Sequence, residues 1–183
     1  MFEIIKGHDP SSYFWIMPVK VIDTTQKIYN SEDVDEMQKC EISIEEDDVE
    51  VFLYHFLKKH FDETLPENQS RYDADGFEWN LTYNFYTFDS IKEIIMDIKV
   101  LIKKLMLDYN NPNLDIISYE YDWLVDILQG ELRSRVNPLP EEQKIKDRIE
   151  KSIEAYYKFI FCLEDMMGKG NEEGYNLISF MGP

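Results

Sequence analysis

The chain has 183 residues, of which 44% are hydrophobic and 14% aromatic, and a formal net charge of −18. That much apolar material can build a core at this length and excludes a disordered acidic tail. A negative field of this size repels nucleic-acid phosphates and anionic lipid, and no apolar run approaches the roughly 18 residues that span a bilayer.

Taken in order, Tyr13 to Asp23 reads as extended, with Pro18 predicting an edge strand or a bulge because it cannot donate to a ladder. Cys40, Ile42 and Ile44 alternate with Glu41 and Ser43, a short strand. The period then changes. Val49, Phe52, Leu53, Phe56, Leu57, His60 and Phe61 recur at helical spacing, which predicts a helix from Ile44 to Phe61 opened by a Ser43–Glu46 capping box. A polar loop, Asp62 to Asp75, leads to the strongest alternation in the chain. Over residues 77–86, Phe77, Trp79, Leu81, Tyr83 and Phe85 share one face, with Glu78, Asn80, Thr82, Asn84 and Tyr86 on the other.

Ser90 and Glu93 form a second capping-box pattern. The helix it opens turns Ile91, Ile94, Ile95, Ile98, Leu101, Ile102 and Leu105 inward and ends near Asn110. A third helix is expected from Leu114 to Val136. The longest is expected from Glu141 to Met167, stopped by Gly168 and Gly170. Tyr175 to Met181 closes the series as a strand returning into the sheet. The expected fold class is α+β: a single domain, 1–183, with a small mixed or antiparallel sheet and about four helices mainly on one face. Strand 77–86 should be central, with Trp79, Leu81 and Tyr83 buried.

The N-terminal residues carry no apolar segment behind a basic start, so no secretory signal is expected. With only Cys40 and Cys162, far apart in sequence, reduced thiols and a cytoplasmic setting follow. The glycosylation patterns at Asn68 and Asn80 therefore carry no weight.

Chemical motifs are sparse. There is no Gly-rich phosphate loop, no nucleophile elbow and no kinase signature. His55 and His60 stand about 140° apart on a helix and lack the spacing of a metal pair. Asp73 to Gly76 has the centre of a calcium loop, but Arg71 and Thr82 occupy its two ends. Both cysteines sit among apolar neighbours and read as core residues. No catalytic residue, cofactor or metal is expected.

The charge distribution is the remaining signal. Ten acids and one base lie between Ser31 and Glu50, a local net of −9, half of the total. One or two carboxylates would suffice to offset a helix dipole. Glu45-Glu46-Asp47-Asp48 in a row, with Glu50, adds mutual repulsion instead. Asp33, Asp35, Glu36, Glu45, Glu46, Asp47, Asp48 and Glu50 are therefore the candidate partner-binding residues, and the partner implied is a basic protein. Small acidic α+β proteins of this kind look like immunity proteins, the inhibitors that neutralise bacterial toxins. The leading expectation is a non-enzymatic acidic binding protein that masks a basic partner, with no nucleic acid and no membrane contact. The alternatives are a carboxylate-based enzyme, with or without a divalent metal, and a structural subunit of an oligomer.

Overall fold

A computed structural model describes residues 2–8, 13–22, 33–69, 83–110 and 142–182. The chain is α+β. Six strands, β1 (Ile5–Lys6), β2 (Tyr13–Val21), β3 (Val34–Glu36), β4 (Ile42–Glu45), β5 (Tyr83–Thr87) and β6 (Leu177–Met181), form one sheet. Among the described residues there are five α-helices: α1 (Glu46–Phe52), α2 (Tyr54–Lys59), α3 (Pro66–Gln69), α4 (Phe88–Asn110) and α5 (Glu142–Glu173). The sheet order is β1-β4-β2-β6-β5, with β3 beside the second half of β2, and every pairing is antiparallel.

Strand β2 is the spine. Its near-continuous apolar run is what a strand covered on both faces requires. Phe14 and Ile16 face the cluster built with α1, α2, α4 and α5, while Trp15, Met17 and Val19 face a second cluster with Val34, Tyr83, Phe85 and Leu177. Pro18 lies within the sheet, not at its edge. Its neighbour on that side changes from β4, which pairs as far as Ile16, to β3, which starts at Val19. The missing donor therefore falls in the break between two strands, where the Pro18 carbonyl accepts from the Met37 amide.

Among the described strands β5 is at the edge, which corrects the expectation of a central 77–86 strand. The middle of the order belongs to β2, and β6 is inserted between β2 and β5. Tyr83 is buried, whereas Trp79 and Leu81 lie outside the described residues. Of the face expected to be polar, Asn84 and Tyr86 are described, and both are buried. Asn84 donates to the Phe180 carbonyl, and Tyr86 donates to the Leu57 carbonyl under α2.

Periodicity locates the helical faces well. Ile91, Ile94, Ile98, Leu101 and Leu105 of α4 and Ile149, Tyr156, Ile160 and Leu163 of α5 are buried together. The expected helix over 44–61 is divided at Leu53, whose φ of −121° leaves the helical range. The Phe56 amide turns to the Leu53 carbonyl, and the Phe52 carbonyl, released from the ladder, accepts from the Tyr156 hydroxyl instead. Neither capping box forms. Ser43 is in β4 and donates to the Gly7 carbonyl, while the Ser90 amide is capped by the Thr87 hydroxyl. The helix expected from Leu114 to Val136 lies outside the described residues.

Helix α5 runs through Gly168 and Gly170 and ends at Gly174. There φ is +83°, Gly174 donates to the Asn171 carbonyl and Tyr175 to the Gly170 carbonyl, the paired bonds of a Schellman stop. Gly170 is a close-approach position, where a Cβ would meet Phe88 at 3.2 Å and Pro18 at 3.3 Å. Gly168 has open space around it. Gly168→Ala should raise stability by about 0.5–1 kcal/mol through helix propensity, and Gly174→Ala should lower it by about 1–2 kcal/mol through left-handed strain. Urea unfolding of the two variants checks the opposite signs.

Candidate functional site: an acidic corner and a lysine-rimmed groove

The eight acids do not form one patch. Glu45 is opposite Tyr13 and Asp35 opposite Lys20 on the same strand. Seven residues of strand at about 3.3 Å each separate the two groups by about 23 Å, more than two Debye lengths at 0.1 M salt.

The group on β3 is tied into the fold. Glu36 accepts from the Tyr83 hydroxyl at 2.5 Å, and Asp35 accepts from the Tyr175 hydroxyl at 3.3 Å. Burial, reinforced by the bond to Glu36, pushes the Tyr83 phenol far above its ordinary value, so it remains a neutral donor. Asp33 precedes this strand.

The second group forms a corner where β4 turns into α1. Glu45 takes the N-cap position without a side-chain cap bond, and Glu46, Asp47 and Asp48 fill the first turn. Glu45, Asp47 and Glu50 are exposed, and Glu46 is partly so. Asp48 is half-buried. Its carboxyl is raised by that burial, against which a hydrogen bond from the Glu3 backbone acts. Among the described residues no ion pair reaches Glu45, Glu46, Asp47 or Glu50. The helix dipole favours anions here, but only by about 0.3–1 kcal/mol each.

Sequence reasoning missed the groove at the other end of β4. A cavity of about 530 Å³ opens between β1, the 3-10 turn Gln38–Cys40 and α5. Phe161 and Tyr157, one turn apart on α5, turn toward it although they are 69% and 48% exposed. Both thiols line it, and burial pushes each above the ordinary thiol value, so they act as small apolar groups. Their spacing in sequence, 40 and 162, gave no sign of this proximity. Two carboxylates reach the cavity. Glu41, 5% exposed, lies 2.9 Å from His8 Nδ1, and Asp165 lies 2.7 Å from Lys169 Nζ. The His8 ring in turn stacks on Trp15 at 4.7 Å.

The histidines stand apart as well. His55 is exposed, and His60 is held between α2 and α4, with Nε2 2.7 Å from Asp97 and Nδ1 3.2 Å from Glu93. Burial pushes the Asp97 carboxyl up, but hydrogen bonds from Lys59 and His60 outweigh it and hold the group below its usual value. Among the described residues no set of three or more His, Cys, Asp or Glu side chains could hold a metal ion. Residues 73–76 lie outside the described residues. No described helix is long and apolar enough to cross a membrane.

No protein-family model, no curated protein and no solved structure matches this chain.

Proposed function

We propose that this protein is a non-catalytic binding protein that engages a basic protein partner through the corner formed by Glu45, Glu46, Asp47 and Glu50, in the manner of an inhibitor masking a cationic surface. One observation carries the reading: four carboxylates are crowded around one helix start, largely open to solvent, with no ion pair to them among the described residues. Adjacent like charges cost stability, and their field accelerates encounter with a positive surface. The β3 acids contribute less, because Asp35 and Glu36 already serve Tyr175 and Tyr83.

A carboxylate enzyme would gather its acids in a cleft. The groove instead contains none of the eight, and its own two carboxylates are engaged by His8 and Lys169.

The test is the association rate of Glu46→Lys/Asp47→Lys with the basic protein that co-purifies with the chain. At low salt the rate should fall by about tenfold or more, with the difference shrinking toward 1 M salt as the Debye length drops to about 3 Å. Asp35→Asn, about 23 Å away along the sheet, should change it little. An unchanged rate for the double reversal at low salt removes the proposal.

A further inference from the structure

Among the described residues, the groove between β1 and α5 sets four lysines around an apolar floor. Its body is supplied by Phe161 and Tyr157 from α5, by Ile42 from β4 and by Ile4 just before β1, with the two thiols also in the lining. Large side chains that remain exposed beside a concavity are apolar area awaiting a cover. Four lysines, Lys6, Lys39, Lys158 and Lys169, reach the same space. Three of them are paired, with Glu173, Glu154 and Asp165 respectively. Lys6 has no ion pair among the described residues, and it is exposed at the end of β1, close enough to act on the Cys162 thiol. The remaining positive charge of the rim is therefore at Lys6, and exposed pairs of the other three are worth so little that they can share a new anion.

We propose that this groove binds a free, medium-chain amphiphilic carboxylate, with its aliphatic body on Phe161 and Tyr157 and its head group at Lys6. A cavity of about 530 Å³ is within the range of small-ligand sites and suits a single chain of this kind. The polarity is specific. An alkyl cation would be drawn by the whole-molecule field of −18 but would meet an ammonium at the groove mouth, while a carboxylate is repelled at long range and held at contact. Glu41 does not oppose the head group directly, since its carboxylate is buried and turned to His8.

The inference stands apart from the acidic corner, and Glu46→Lys/Asp47→Lys should leave it intact. The experiment titrates the full chain with decanoate, decylamine and decanol below their aggregation limits, by calorimetry and by side-chain NMR. Decanoate should bind saturably, shift the Phe161 and Tyr157 ring signals and exceed decylammonium in affinity by about tenfold, which is 1.4 kcal/mol. Lys6→Gln should weaken decanoate alone, by about fivefold to tenfold, leaving decanol unchanged. Phe161→Ser should weaken decanoate and decanol alike, and Tyr157→Ser provides the same reading if Phe161→Ser fails to fold. No saturable binding, a preference for decylammonium, or indifference of decanoate to either Lys6→Gln or Phe161→Ser overturns the proposal.

Discussion

Replacing Asn68 by leucine should destabilise the protein by about 3 kcal/mol, although the two side chains are similar in size. Asn68 is 2% exposed and acts as a surrogate strand on the open side of β5. Its amide oxygen accepts from the Phe85 amide at 3.0 Å, and its amide nitrogen donates to the Phe85 carbonyl at 3.0 Å and to the Asp62 carbonyl at 2.8 Å. Leucine fills the space and takes these partners from the Phe85 amide and carbonyl, while the Asp62 carbonyl keeps the Leu65 amide at 3.3 Å. A buried backbone group left unpaired costs about 1–3 kcal/mol, and among the described residues no strand lies on that side of β5 to compensate. Asn68→Asp should be nearly as damaging at neutral pH, since a carboxylate can accept from Phe85 but brings negative charge against two carbonyl oxygens. Urea unfolding gives the energy, and hydrogen exchange at the Phe85 amide gives the location. A loss below about 1 kcal/mol for Asn68→Leu would show that the clamp is dispensable. The same burial bears on the Asn68-Gln69-Ser70 pattern: a side chain engaged in three bonds inside the fold is not open to a glycan.

The second large effect comes from two tyrosines that reach into the α1–α2 unit from different elements. Tyr156, on α5, donates to the Phe52 carbonyl at 3.1 Å, and Tyr86, on β5, donates to the Leu57 carbonyl at 2.9 Å. Both rings are buried, so removal of the hydroxyl strands a carbonyl in the core. Tyr156→Phe and Tyr86→Phe should each cost about 1–2 kcal/mol, and the double variant about the sum, because the two bonds share no partner. The pair should fall short of additivity only if Leu53 straightens and the ladder recovers the Phe52 carbonyl. Equilibrium unfolding of the two single variants and the double variant decides this.

What the sequence revealed was set by periodicity. The inward stripes of α4 and α5 and the extension of β2 follow from apolar spacing, because one core imposes that spacing on every element touching it. What it concealed was set by partners distant in the chain. The break at Leu53 is matched by a hydroxyl from Tyr156, and the glycine at 170 answers to the nearness of Pro18 and Phe88 and not to a helix stop. Ser43 and Ser90 matched a capping pattern, yet one is claimed by Gly7 in the sheet and the other stands three residues beyond the true cap at Thr87. The acids were visible, but their division was not. Contiguity between Ser31 and Glu50 suggested one surface, whereas β3 and β4 carry the two groups to opposite ends of β2. The groove left no local trace, since its thiols, lysines and rings come together only when α5 crosses the first strands.

The position of β6 also constrains the order in which the molecule can be made. Trp15 pairs with Met181, and among the described residues β5 has no neighbouring strand except β6. Strands β1 to β4 can associate through short-range contacts soon after synthesis, but β5 has no ladder to join until residues 177–181 are available. The nascent chain must therefore wait with one side of β2 and one side of β5 unpaired, an apolar strand flank on each. Closure over so long a separation is slow, and open strand flanks are where intermolecular pairing begins. Insertion of β6 is thus a late step among the described strands, and the interval before it is when they depend most on chaperone protection.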